Sequence, residues 1–88
     1  MIDDLPYYTL RRRLIKLEEA VAAEWPWAIK QDLKKLLKNA QTAVNDLNKE
    51  IVNCRRTHKL TSHYYYLEEA ADTIITAVEK RITWARLL

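Results

Sequence analysis

From Leu33 onward the chain places a small or apolar side chain at alternating steps of four and three: Leu33, Leu37, Ala40, Val44, Leu47, Ile51, Cys54, and finally His58. Residues three and four apart share one face of an α-helix, whereas a half-buried strand repeats every two, so this run predicts one long helix. Sustained over more than three heptads, the same rhythm predicts left-handed, coiled-coil-like packing against a partner helix. Residues 27–57 would form a rod roughly 45 Å long at 1.5 Å per residue. Nothing in that stretch interrupts it, because the chain has no glycine and its two prolines, Pro6 and Pro26, both lie before it.

The flanking segments follow the same period. Tyr7, Leu10, Leu14, Leu17 and Val21 come after Asp3-Asp4-Leu5-Pro6, where acids and a first-turn proline suit a helix start, so a first helix is predicted over about 5–24. Trp25-Pro26-Trp27 ends it, since proline disfavours helical geometry in the residue before it and is accepted in the first turn of the next helix; a near-continuous kinked helix is the competing reading. Thr57 to Ser62 carries the next turn, with Thr61 or Ser62 as the N-cap of a third helix that ends near Leu88. Its seam reads Tyr64, Leu67, Ala71, Ile74, Val78, Ala85 and Leu88, with Arg81 in the one slot that should be apolar. The predicted fold is all-α: a single three-helix domain over 1–88, built on a long antiparallel hairpin of helices two and three with a shorter N-terminal helix.

Composition narrows the chemistry. Eighty-eight residues enclose one core, which excludes multi-domain enzymes. The absence of glycine removes the Rossmann fingerprint and the P-loop, so no cofactor is expected. The net charge of +3 and a pI near 9.1 fall short of the excess that marks a dedicated nucleic-acid binder. Cys54 is the single cysteine and can form neither an internal disulfide nor a zinc site on its own. With a Met-Ile-Asp-Asp start that lacks a basic leader region, and no apolar run near the roughly 20 residues of a membrane span, a cytoplasmic protein away from membranes is expected.

The clearest functional pointer is surplus apolar surface. On the third helix Ile75 and Ile82 widen one flank of the seam and Tyr66, Ala70, Ala77 and Trp84 the other, giving an apolar arc near 180° where a single core needs about 100°. The first helix, at about 28 Å, is shorter than the roughly 45 Å and 40 Å of the others, so part of the hairpin should stay uncovered. An uncovered apolar seam implies a partner, and a symmetric homodimer is the commonest. The main expectation is therefore a small protein-interaction module, such as an adaptor, inhibitor or accessory factor. It would bind another protein or a second copy through Trp27, Tyr66, Ala70, Ala77 and Trp84, without catalysis. Trp25-Pro26-Trp27 could plug the bundle end or stand at that interface, and Tyr64-Tyr65-Tyr66 point three ways round their helix, so at most two are buried.

Charge suggests a second reading. Lys30, Lys34, Lys38, Lys49, Arg56 and Lys59 gather on one side of the second helix, away from Asp32 and Asp46, and such a ridge could track a phosphate backbone. No helix-turn-helix spacing supports base reading. Arg11-Arg12-Arg13 splay by 100° per residue and form no patch.

A third reading comes from the second turn. Arg56-x6-His63-Tyr64-Tyr65 resembles the Arg-x(4–6)-His element of HEPN-type ribonucleases over about ten residues. That resemblance implies an element between two long helices, paired across a dimer, with His63 as general base and Arg56 holding phosphate. Without it, His58 ends the apolar seam, His63 opens the third helix, and Arg55 and Arg56 complement the helix-two dipole.

Glu68, Glu69 and Asp72, with Glu18 and Glu19, are the only carboxylate cluster. MazG-like pyrophosphatases use two Glu-x-x-Glu/Asp pairs, and Glu69-x-x-Asp72 supplies one, so no metal site is expected. Arg81 could extend to solvent, pair with Glu18 or set oligomer register.

Overall fold

In the computed structural model, which describes residues 5–88, the heptad run forms α2 over Trp27–Arg56. It is preceded by α1 over Leu5–Ala22 and followed by α3 over Ser62–Leu87, with no strand among the described residues. The three fold back on one another into a body 46 × 21 × 18 Å, its long axis matching the length of α2. No described helix is long and apolar enough to cross a membrane. Asp3 and Asp4, read from the sequence as a helix start, and the Tyr7 side chain lie outside the described residues.

The core divides in two along the hairpin. In the body, Leu10, Leu17 and Val21 of α1 meet Leu33, Leu37, Ala40 and Val44 of α2 and Ala71, Ile75, Val78, Ile82 and Ala85 of α3. Beyond the reach of α1, a tip formed by α2 and α3 alone buries Ile51, Cys54, Tyr64 and Leu67, with Leu47 bridging the two cores. The predicted uncovered length of hairpin is this tip. Its four core side chains are buried, whereas Val52, Leu60 and Tyr65 around them are exposed.

The α2 seam follows the predicted rhythm as far as Cys54, and the α3 seam departs from it in the middle. Ile75 is fully buried and Ile82 nearly so, whereas Ile74 is half-buried and Leu88 exposed. The spacing from Leu67 runs 4-4-3-4-3 through Ala71, Ile75, Val78, Ile82 and Ala85. One extra step of four turns the seam toward α1, which needs a face on the same helix. Arg81 therefore occupies no core slot and stands in solvent. Its proposed partner Glu18 instead accepts a 2.7 Å hydrogen bond from Gln41 Nε2.

Both turns are held by local hydrogen bonds. At the first, Trp25 Nε1 donates to the Ala20 carbonyl at 2.9 Å, and Lys30 Nζ reaches the Ala22 and Ala23 carbonyls at 3.5 and 3.2 Å. These groups satisfy acceptors that a helix C-terminus leaves unpaired. Residues 23–26 are not helical, so the kinked continuous helix is not formed. Trp25 packs on the core, as a plug of the bundle end would, while Trp27 is 78% exposed.

At the second turn, Lys59 N–H donates to the Cys54 carbonyl at 2.8 Å and His58 N–H to the Arg55 carbonyl at 3.2 Å. This pair is the Schellman ending, which needs a left-handed residue, usually glycine. Here His58 takes it, with φ at 56°. That geometry swings His58 out of the seam it was expected to close, and its side chain is exposed. Thr61 is the N-cap of α3, with extended backbone and no side-chain cap bond.

Candidate partner-binding face

Arginines fix how α3 presents its outer side. Arg13 bridges α1 to α3: its Nη2 donates to Glu79 Oε1 at 2.7 Å and Thr76 Oγ1 at 3.0 Å, its Nε to Glu79 Oε2 at 3.2 Å, and its Nη1 pairs with Asp72. Hydrogen bonding to Glu79 first, and then to Asp72, raises the guanidinium pKa above its already high ordinary value despite partial burial. Arg13 is thus no member of a basic patch but a strut between helices. Its signal was present in the sequence: Arg13 sits three after Leu10 and four before Leu17, on the inward side of α1, while Asp72, Thr76 and Glu79 line α3 at steps of four and three.

A second arginine closes the tip. Arg55 Nε donates to the Tyr64 hydroxyl at 2.7 Å, and that hydroxyl donates to Glu68 Oε1 at 2.6 Å, with Arg55 Nη2 3.6 Å from the same oxygen. The guanidinium carbon also lies 5.6 Å from the Tyr64 ring centroid. Burial, reinforced by the bond to Glu68, raises the Tyr64 pKa, and Arg55 opposes the rise. Arg55 therefore serves a tertiary contact as well as lying in the last turn of α2, and Tyr64 is the one buried ring of the three tyrosines.

These contacts also account for the acidic cluster. Glu68 belongs to Tyr64 and Arg55, Asp72 and Glu79 to Arg13, and Glu69 is exposed. Among the described residues no three His, Cys, Asp or Glu side chains form a group that could hold a metal ion.

With α1 and α2 packed on its inner side, α3 carries a line of aromatic and small residues on its outer, solvent-facing side. Tyr66 is 66% exposed and Trp84 65% exposed. They stand eighteen residues apart, five full turns, and so fall on one line along the helix. Between them lie half-buried Ala70 and exposed Thr73 and Ala77, whose short side chains leave the backbone approachable. A shallow depression of about 260 Å³ flanks Trp84, lined by Thr76, Glu79, Lys80 and Thr83. Leu87 and Leu88, 77% and 85% exposed, extend the apolar surface past Trp84. Trp27 stands at this same end of the bundle, opposite the tip, but on α2, so four of the five residues expected to bind a partner share one helix face.

The basic residues are placed differently from one another. Lys30 is half-buried, with its Nζ held on the Ala22 and Ala23 carbonyls at the end of α1. Lys34, Lys38, Lys49, Arg56 and Lys59 are exposed. Arg56 and Lys49 flank an open surface with Asn45, Asn48, Val52 and Asn53, whereas the exposed His63 faces α2 with Nε2 3.6 Å from Glu50 Oε2.

No family model, curated protein or solved structure matches the chain.

Proposed function

We propose that this chain is a protein-interaction module whose docking face is the outer line of α3, from Tyr66 through Ala70 and Ala77 to Trp84. The observation that carries the reading is the pair of aromatic side chains, each about two-thirds exposed, set at the two ends of a small-residue track. Exposed tyrosine and tryptophan are the side chains most often responsible for binding energy in protein interfaces. The alanines between them let a helix lie close, in the groove-filling mode of helix recognition. The arginine contacts of Arg13 and Arg55 hold α3 in place from behind, so little order remains to be gained on binding.

The reading is tested with a photo-crosslinking side chain at position 77 and, as control, at exposed position 46 on α2. Protein adducts from position 77 that disappear in Trp84→Ala, with none from position 46, are expected. Equal yields from both positions, or yields insensitive to Trp84→Ala, would reject it.

A second reading is favoured by the free cations of α2. Lys34, Lys38, Lys49 and Arg56 are exposed and form no ion pair among the described residues, as a phosphate-tracking surface requires. Gel-shift titration with single- and double-stranded nucleic acid at about 50 mM salt, where charge contacts are strongest, decides it. Absence of binding there ends the reading.

A further inference from the structure

We infer that the occupant of the α3 face is a second copy of this chain, packed antiparallel about the level of Ile75, with Tyr66 of each copy against Trp84 of the other. This rests on the docking-face reading and adds its partner.

The argument is the order of residues along the exposed line. A two-fold axis perpendicular to an antiparallel helix pair brings each position opposite the one equally far on the other side of the centre. Tyr66 and Trp84 lie nine residues before and nine after Ile75, and Thr73 and Ala77 two before and two after. Aromatic would therefore meet aromatic at both ends and small would meet small in the middle. The two backbones can then approach at the centre while the rings interlock outside it.

Charge follows the same symmetry. Glu69 and Lys80 lie six before and five after Ile75, and at 100° per residue both fall on the same flank of the Tyr66–Trp84 line. In an antiparallel pair that flank faces its own counterpart, so Glu69 of each copy meets Lys80 of the other, twice per dimer. Both are exposed and form no ion pair among the described residues. A parallel pairing brings opposite flanks together, which would set Lys80 of each copy beside Arg81 of the other and leave Glu69 beside Ala70. On the opposite flank Arg81 comes level with Ala70 of the other copy and meets no like charge.

The area is adequate for a modest dimer. With about 200 Å² for a whole aromatic side chain, two-thirds exposure leaves roughly 130 Å² on each ring, or roughly 500 Å² over two copies. That is about half of the ~1,000 Å² that a specific interface requires, and the intervening stems along about 27 Å of helix supply the remainder.

Sedimentation equilibrium over about 1 µM to 1 mM, on wild type and surface variants, tests the pairing. Wild type is expected to shift from one chain to two across the series and Trp84→Ala to stay single. Glu69→Lys and Lys80→Glu should each weaken association about tenfold, and the two variants mixed together should recover it, because every facing pair is then opposite in sign. A wild type that stays monomeric throughout overturns the second copy; the docking-face reading then stands or falls separately on whether position 77 crosslinks to a different protein. Dimerisation unaffected by Trp84→Ala, or charge variants that do not complement each other, overturns the pairing as well. Circular dichroism of each variant confirms that exposed substitutions leave the helices intact.

Discussion

At His58 the chain supports a left-handed backbone without glycine. For a residue with a β-carbon that conformation costs about 1–2 kcal/mol, and the two Schellman hydrogen bonds offset it. His58→Gly is expected to stabilise the fold by about 1 kcal/mol, less whatever the added freedom of the unfolded chain removes, measured as a higher urea midpoint at unchanged slope. Tyr64 gives a pH dependence. Its folded pKa is raised above the ordinary 10.0, first by burial and then by the bond to Glu68, so the fold retains a proton that the unfolded chain releases. Its contribution is complete below about pH 10 and is lost as pH rises through the folded value. Wild type should lose stability in strongly alkaline buffer, and Tyr64→Phe should be weaker near neutrality but show a flatter alkaline limb in thermal melts.

Between elements, α1 is tied to α3 through one guanidinium. Arg13→Ala is expected to cost about 1 kcal/mol, an amount that shrinks with added salt because Asp72 and Glu79 are themselves well exposed. A double-mutant cycle with Glu79→Ala should show coupling between the two positions, and additivity would exclude the strut. The helices themselves were legible in the sequence. A seven-residue rhythm depends on local spacing alone, so it located α2 to within a residue and the four buried α2 side chains of the body, Leu33, Leu37, Ala40 and Val44. What it could not locate was the change of seam on α3, where Ile75 and Ile82 take the slots expected for Ile74 and Arg81, and Leu88 stays exposed. That change is decided by where a third helix sits, and apolar positions on both flanks of α3 left both tracks open. Lys30 was obscured for a related reason: on a helical wheel it groups with Lys34 and Lys38, while in space it reaches back to the carbonyls of the preceding helix. On the candidate face, Tyr66, Ala70, Ala77 and Trp84 were readable as apolar positions outside the seam. The matching of Glu69 with Lys80 becomes visible only once the solvent-facing line is known.

Taken whole, the molecule is a three-helix body carrying a two-helix tip, and the two halves have separate cores joined at Leu47. The tip has fewer layers around it and is closed by the polar group of Arg55, Tyr64 and Glu68, so local opening should start there. Cys54, the chain's single sulfur nucleophile, lies in the tip at 9% exposure. It is therefore a natural clock: the speed at which a thiol-reactive dye modifies the native protein should report excursions of the hairpin end, and Arg55→Met should quicken it more than Arg13→Ala does.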